Sequence, residues 1–214
     1  MHIQEGALSG STEGIVVLCA GAALAAAGTA LGLRKMDYQR VPQVAMLSSA
    51  FFVASFIHVP VGPTNVHLVL NGLAGLILGW AAFPALLVAL FLQGILFGFG
   101  GLTTLGINTL TMALPAVACY YLFHRALRSG HEAATFVAGF AAGAVGIALG
   151  ALLTAFALVA AGGEFELFAE ANLVAHLAVA GIEGLVTGSV VVFLRKVRPE
   201  LLEAPLLVPG RQVE

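Results

Sequence analysis

Six histidines stand in a chain of 214 residues that is otherwise poor in groups able to do chemistry. His2 directly follows Met1, and His58 and His67 flank the segment Val59-Pro60-Val61-Gly62-Pro63-Thr64-Asn65-Val66. If Met1 keeps a free α-amine, that amine, the backbone nitrogen of His2 and His2 Nδ1 can close a five-membered and then a six-membered ring on one metal ion. Three nitrogens then lie in a plane, and a distant histidine would complete a square. His67 is the candidate for that fourth position. Tetragonal nitrogen geometry suits divalent nickel or copper and can hold cobalt. A histidine at position two is also what any frayed terminus can carry, so the rest of the chain has to decide.

The composition is 60% hydrophobic and 9% charged with a mean hydropathy of +1.01, whereas soluble domains carry charge on about a quarter of their residues. The chain is therefore read as an integral membrane protein. Its 26 glycines allow close helix approach within a bundle. Cys19 and Cys119 both fall inside apolar runs and are read as small core residues, not as a disulfide or a thiolate metal site. The net charge of −2 gives no nucleic-acid signal, and no Gly-rich phosphate loop ending in Lys-Ser or Lys-Thr occurs. Any use of ATP must come from a partner.

Residues 1–11 carry no Lys or Arg, so they lack the basic start of a signal peptide, and no cleavage is expected. Seven apolar stretches follow, at 12–33, 41–57, 66–80, 83–99, 105–127, 134–161 and 172–194. The third and fourth are separated only by Ala81 and Ala82, either as a tight hairpin or as one bent element, with Pro84 favouring a fresh helix start. All nine basic residues lie after the first, fifth and seventh stretches: Arg34, Lys35 and Arg40; Arg125 and Arg128; Arg195, Lys196, Arg198 and Arg211. With seven spans these loops share one face, the cytoplasmic one by the positive-inside rule. The expected fold is an all-α membrane protein of seven transmembrane helices, amino terminus outside and carboxyl terminus cytoplasmic. Residues 1–198 form one transmembrane domain and 199–214 a cytosolic tail. Met1, His2 and His67 then share the outer side with residues 98–104 and with the acidic connection of Glu164, Glu166 and Glu170.

Several polar residues need a place within this apolar frame. Pro60, Gly62 and Pro63 prevent the segment from His58 to His67 from running as one helix, and a broken turn at membrane depth must be buried or line a cavity. Asn65 or Thr64 is expected to cap a helix starting near Val66, with His67 in its first turn facing an external cavity. His58, Asn65, Asn71, Gln93, Asn108 and Glu183 are candidates for hydrogen-bond support of the ligands, with ordinary interhelical hydrogen bonding as the alternative for each. His176 and Glu183 are two turns apart on one helix face, and a carboxylate at that depth must be paired or functional. His124 and His131 read as loop residues. Ala20, Leu24, Gly28 and Gly32, with Ala23 and Ala27, form a small-residue face on the first helix, for packing inside the bundle or for docking another membrane subunit.

Four separated pieces carry a resemblance to one family: Met1-His2-Ile3 with Glu5-Gly6, the segment 61–68 (Val-Gly-Pro-Thr-Asn-Val-His-Leu), the Gly-rich segment 98–106, and 182–188 (Ile-Glu-Gly-Leu-Val-Thr-Gly). The chain resembles the CbiM/NikM proteins, the substrate-capture subunits of cobalt and nickel energy-coupling factor transporters, over nearly its whole length. The resemblance implies that metal is held by the Met1 amine, the amide and ring of His2, and His67. It also implies a membrane coupling (T) subunit, cytosolic ATP-binding subunits and a small accessory membrane subunit as partners, and location in the cell's inner (plasma) membrane. Ni2+ or Co2+ is the expected cargo, with both left open, and no enzymatic step is expected in this chain. A stand-alone metal channel or carrier is the alternative, but His176 and Glu183 are too few to draw a continuous path. An intramembrane metalloenzyme would want an open metal position beside a base, which a square of four nitrogens does not offer.

Overall fold

The structure, a computed structural model, describes residues 1–56, 58–61, 64–128, 131–162 and 165–203. It is helical throughout except for one small sheet. The helices are α1 (Thr12–Lys35), α2 (Val41–Ala54), α3 (Asn71–Leu78), α4 (Ala82–Phe97), α5 (Leu105–Phe123), α6 (Glu132–Ala161), α7 (Glu166–Val197) and the short α8 (Glu200–Glu203). Five helical runs among the described residues are long and apolar enough to cross a membrane: α1, the α3–α4 run, α5, α6 and α7. At about 1.5 Å per residue the 14 residues of α2 span about 21 Å, short of a hydrocarbon core of about 30 Å.

Local chemistry explains the ends. Ser11 caps α1 by accepting from the Gly14 amide at 3.0 Å, and its hydroxyl donates to the Ala161 carbonyl at the end of α6, also at 3.0 Å. Arg34 and Lys35 close α1, and Arg195 and Lys196 close α7, where the helix dipole favours cations. Between α3 and α4, Gly79 takes φ +51°, which a side chain would resist. Close approaches give the helix directions. Gly75 lies against Ala116 and Gly79 against Tyr120, so α3 runs parallel to α5. Gly28 lies against Phe83 and Gly32 against Trp80 and Pro84, so the second half of α1 packs on the start of α4.

Three short strands close one end of the bundle. β1 (His2–Ile3), β2 (His58–Val61) and β3 (Thr64–His67) form an antiparallel sheet in the order β1-β3-β2, with His2 opposite Asn65 and His58 opposite His67. This sheet departs from the all-α expectation. It also corrects the third span. Residues 66–67 are strand, the helix begins at Asn71, and neither Thr64 nor Asn65 caps it. Valines at 59, 61 and 66 suit extended backbone, and prolines at 60 and 63 oppose helix.

Other expectations shift as well. Glu166 and Glu170 belong to the first turns of α7, not to a connecting loop, and Glu164 lies outside the described residues. Cys119 is buried but Cys19 is exposed. His124 is buried at the end of α5, while His131 begins α6. On α1 the packed residues are Gly21, Ala25, Gly28 and Gly32, and Ala20, Ala23, Leu24 and Ala27 remain exposed. The tail expected at 199–214 is described only as far as residue 203.

Candidate metal site

The amino terminus is not frayed. Met1 is 0%, His2 1% and His67 3% exposed, so both imidazoles lie inside the protein rather than facing an open cavity. The Met1 side chain enters the bundle among Phe51, Phe83, Leu86, Met112 and Ile147. A Cβ on Gly150 would come within 2.8 Å of the Met1 thioether, so glycine there makes the socket.

Asn108 pins β1 from α5. Its Oδ1 accepts from the Ile3 amide at 2.8 Å, and its Nδ2 donates to the Ile3 carbonyl at 3.0 Å and to Thr104 Oγ1 at 3.2 Å. The segment after α4 covers the terminus. Glu5 donates its amide to the Gly100 carbonyl at 2.6 Å, and its carboxylate accepts from the Thr103 amide. The Gly-rich run at 98–106 thus lies over the amino-terminal segment, with Gly98, Gly100 and Gly101 all at positive φ.

A chain of hydrogen bonds sets the His2 tautomer, each bond fixing the direction of the next. The Ser55 hydroxyl donates to the Phe52 carbonyl at 2.8 Å, so its oxygen receives the Gln93 Nε2 amide hydrogen at 2.7 Å. That orientation turns Gln93 Oε1, an acceptor, toward His2 Nε2 at 2.9 Å. His2 therefore carries its proton on Nε2, and Nδ1 is its basic nitrogen. His67 has the opposite arrangement. Its Nδ1 donates to the Leu68 carbonyl at 2.7 Å, and its buried Nε2 has no hydrogen-bond partner. The two rings stack with centroids 4.5 Å apart, and Phe51 presents an edge to His67.

Burial disfavours charge on the Met1 amine and on His67. Burial pushes the Met1 amine down from 8.0 to about 4. Burial, then the charges of the amine and of His2, hold His67 well below the usual imidazole range, against the Leu68 hydrogen bond that works the other way. Neutral nitrogens are what a metal ion requires. Among the described residues no three His, Cys, Asp or Glu side chains gather closely enough to hold an ion. A metal here would have to take main-chain nitrogen as well.

The remaining candidates divide. Glu183 on α7 is 0% exposed, and its Oε1 accepts from the amides of Val69 and of Leu70, the latter at 2.8 Å. It thus straps the turn that follows His67, where Leu70 is the single described non-glycine residue at positive φ. Asn71 binds the Gly146 carbonyl on α6 at 3.0 Å rather than the site. The backbones of His58 and Asn65 pair within the sheet, opposite His67 and His2 respectively. Ser55 was not singled out from the sequence, and Glu5 and Thr104 entered it only within the segments that carry the family resemblance. Ser55 and Thr104 are ordinary hydroxyl residues, and no periodicity or spacing marks them.

Fold and site together define a multi-pass membrane protein with a nitrogen-rich centre sealed inside the bundle. Residues 2–201 match the family described as a cobalt uptake substrate-specific transmembrane region, CbiM, and the chain belongs to that family. A relative from Haemophilus influenzae, provisionally named a metal transport protein, is 43% identical over 94% of this chain and 97% of its own length. The fused nickel transport protein NikMN of Rhodobacter capsulatus is 35% identical over 98% of this chain, which spans 66% of that longer protein. Among solved structures, a truncated transition metal transporter superposes with a TM-score of 0.73 at 26% identity, covering 92% of this chain and 99% of that one.

Proposed function

We propose that this chain is the membrane subunit that captures divalent nickel or cobalt for an energy-coupling factor importer. The ion is held by the Met1 amine, the backbone nitrogen and Nδ1 of His2, and Nε2 of His67. The observation that carries this reading is the pair of opposite tautomers. The Ser55–Gln93 relay makes Nδ1 the basic nitrogen of His2, and the Leu68 carbonyl makes Nε2 the basic nitrogen of His67. Those are the two ring nitrogens that the planar chelate needs. The family, the fused nickel transport relative and the transition metal transporter fold all support metal uptake.

The work of this subunit is desolvation, chelation and a conformational change. Bound metal would replace the His2 amide proton, which is released to solvent, and this exchange favours ions that gain ligand-field stabilisation, nickel and cobalt over zinc. A coupling (T) subunit, cytosolic ATP-binding subunits and a small accessory membrane subunit complete the importer, since this chain carries no phosphate-binding loop. The exposed small residues of α1, Ala20, Ala23 and Ala27, leave a surface for the coupling subunit. Seven crossings with the amino terminus outside fit the reversal at Gly79. Lys35 lies 4.9 Å over the Trp80 ring, so the α3–α4 turn sits beside the basic end of α1.

Titration of the purified protein with nickel, cobalt, zinc and copper, followed by visible absorption, tests the site. His2→Ala and His67→Ala are each expected to lower nickel affinity by at least about 100-fold, more than the loss of a supporting residue costs. Equal binding by wild type and both variants would remove the site.

A further inference from the structure

His176 has the same local design as His67 without a role in the planar chelate. It is 2% exposed on α7, and its Nδ1 lies 2.7 Å from the Asn172 carbonyl. A carbonyl only accepts, so Nδ1 carries the proton and Nε2 keeps the lone pair. That Nε2 is buried without a hydrogen-bond partner. Buried polar atoms are rarely left so, and each asks for an explanation. An imidazole tied by one nitrogen to a carbonyl and open at the other is the arrangement that supports a metal ligand.

Its position follows from the packing of α7 on α6. Asn172 Nδ2 donates to the Ala151 carbonyl, and the backbone of Glu183 lies against Gly143. His176, between them, stands at the level of Ile147, within one helical turn of Gly150, where the Met1 thioether sits. Because α6 begins at the basic loop and ends beside Ser11, His176 lies on the inward side of the Met1 socket. Asn71 Oδ1, beside Gly146, and Glu183 Oε2 are two further buried oxygens on that side with no partner.

Resting on the capture site proposed above, we infer that His176 is a relay ligand for the divalent cation. Its Nε2 receives the ion from His67 on the inner side of the chelate as the ion leaves the terminus. The buried oxygens of Asn71 and Glu183 stand next along the same seam. No covalent or redox step is involved. One nitrogen replaces another on the metal.

The test uses nickel and the full chain. X-ray absorption of the nickel-loaded His67→Ala protein is expected to show two imidazoles, from His2 and His176, and the His67→Ala/His176→Gln protein only one. With His67 intact, His176→Gln is expected to load nickel within about threefold of wild type, while uptake in cells with the partner subunits falls by roughly 10- to 100-fold, the range for loss of a group acting on a bound metal. His176→Asn is taken through the same measurements, so a folding defect in one substitution decides nothing by itself. Equal imidazole counts with and without His176, or wild-type uptake by both His176 variants, would overturn the relay. So would loss of nickel loading by both, which would place His176 in the capture site itself. Wild-type protein whose nickel binding is indifferent to His2 would instead defeat the capture site, and the two failures are read separately.

Discussion

The imidazole of His2 lies stacked on that of His67, with ring centroids 4.5 Å apart and planes inclined by 23°. Two cationic rings would repel at that separation, and both are sealed from water. The stack therefore disfavours charge on both rings at once, and it presents basic nitrogens of opposite kind. Residues from the two ends of a 65-residue separation meet through a two-residue strand, β1, laid against β3.

Gln93 is expected to matter through the tautomer it selects. Gln93→Leu removes the acceptor for His2 Nε2–H and lets the ring proton move to Nδ1. Nickel affinity should fall by roughly 10- to 100-fold with the fold retained. Gln93→Glu keeps an acceptor facing His2 and should retain more affinity than Gln93→Leu. Titration of both variants decides it, and equal losses would show that the acceptor plays no part.

Acid should release the terminus. A freed Met1 amine takes up a proton below about pH 8, whereas the docked amine does so only near pH 4. Between these values the released form binds more protons, so docking weakens by about 1.4 kcal/mol for each unit of falling pH. His67, lowered from 6.5, adds to the loss below that value. In metal-free protein, exchange protection of the Ile3 and Glu5 amides, corrected for intrinsic rates, should fall from pH 8 to pH 5. Constant protection would mean the amine is not docked as described.

One residue added before Met1 moves the histidine to the third position. The new amine, two amides and the imidazole then supply four planar nitrogens without His67. The extended protein should still bind nickel or copper, His67→Ala should no longer weaken that binding, and uptake with partner subunits should be lost. Met1 is fully buried, so the added residue would have to displace what packs around it. Normal transport by the extended protein would exclude the Met1 amine as a ligand.

The seven-crossing topology predicts opposite faces for the two ends of α6. With Cys19 and Cys119 replaced, cysteines at His131 and at Glu166 should react with an impermeant reagent from the inner and outer side respectively. Reaction of both from one side would overturn the arrangement of α6 and α7.

The membrane class, the grouping of the basic loops and the prominence of Met1, His2, His67 and Glu183 were legible in the sequence. In a chain with 9% charged residues, every polar side chain in an apolar run carries a desolvation cost and so stands out. Helix ends were legible where caps and charges are local, as at Ser11 and Arg195. Tertiary structure alone decided that 64–67 is a strand, because its partner β1 lies at the far end of the chain and no local pattern reports a distant pairing. It also decided that Cys19 faces outward, since an apolar surrounding in sequence suits a lipid-facing position as well as a core one. The relay from Ser55 through Gln93 to His2 joins three elements by the direction of single hydrogen atoms. Residue type permits that relay, but only the packing of α2 and α4 around the terminus brings it about.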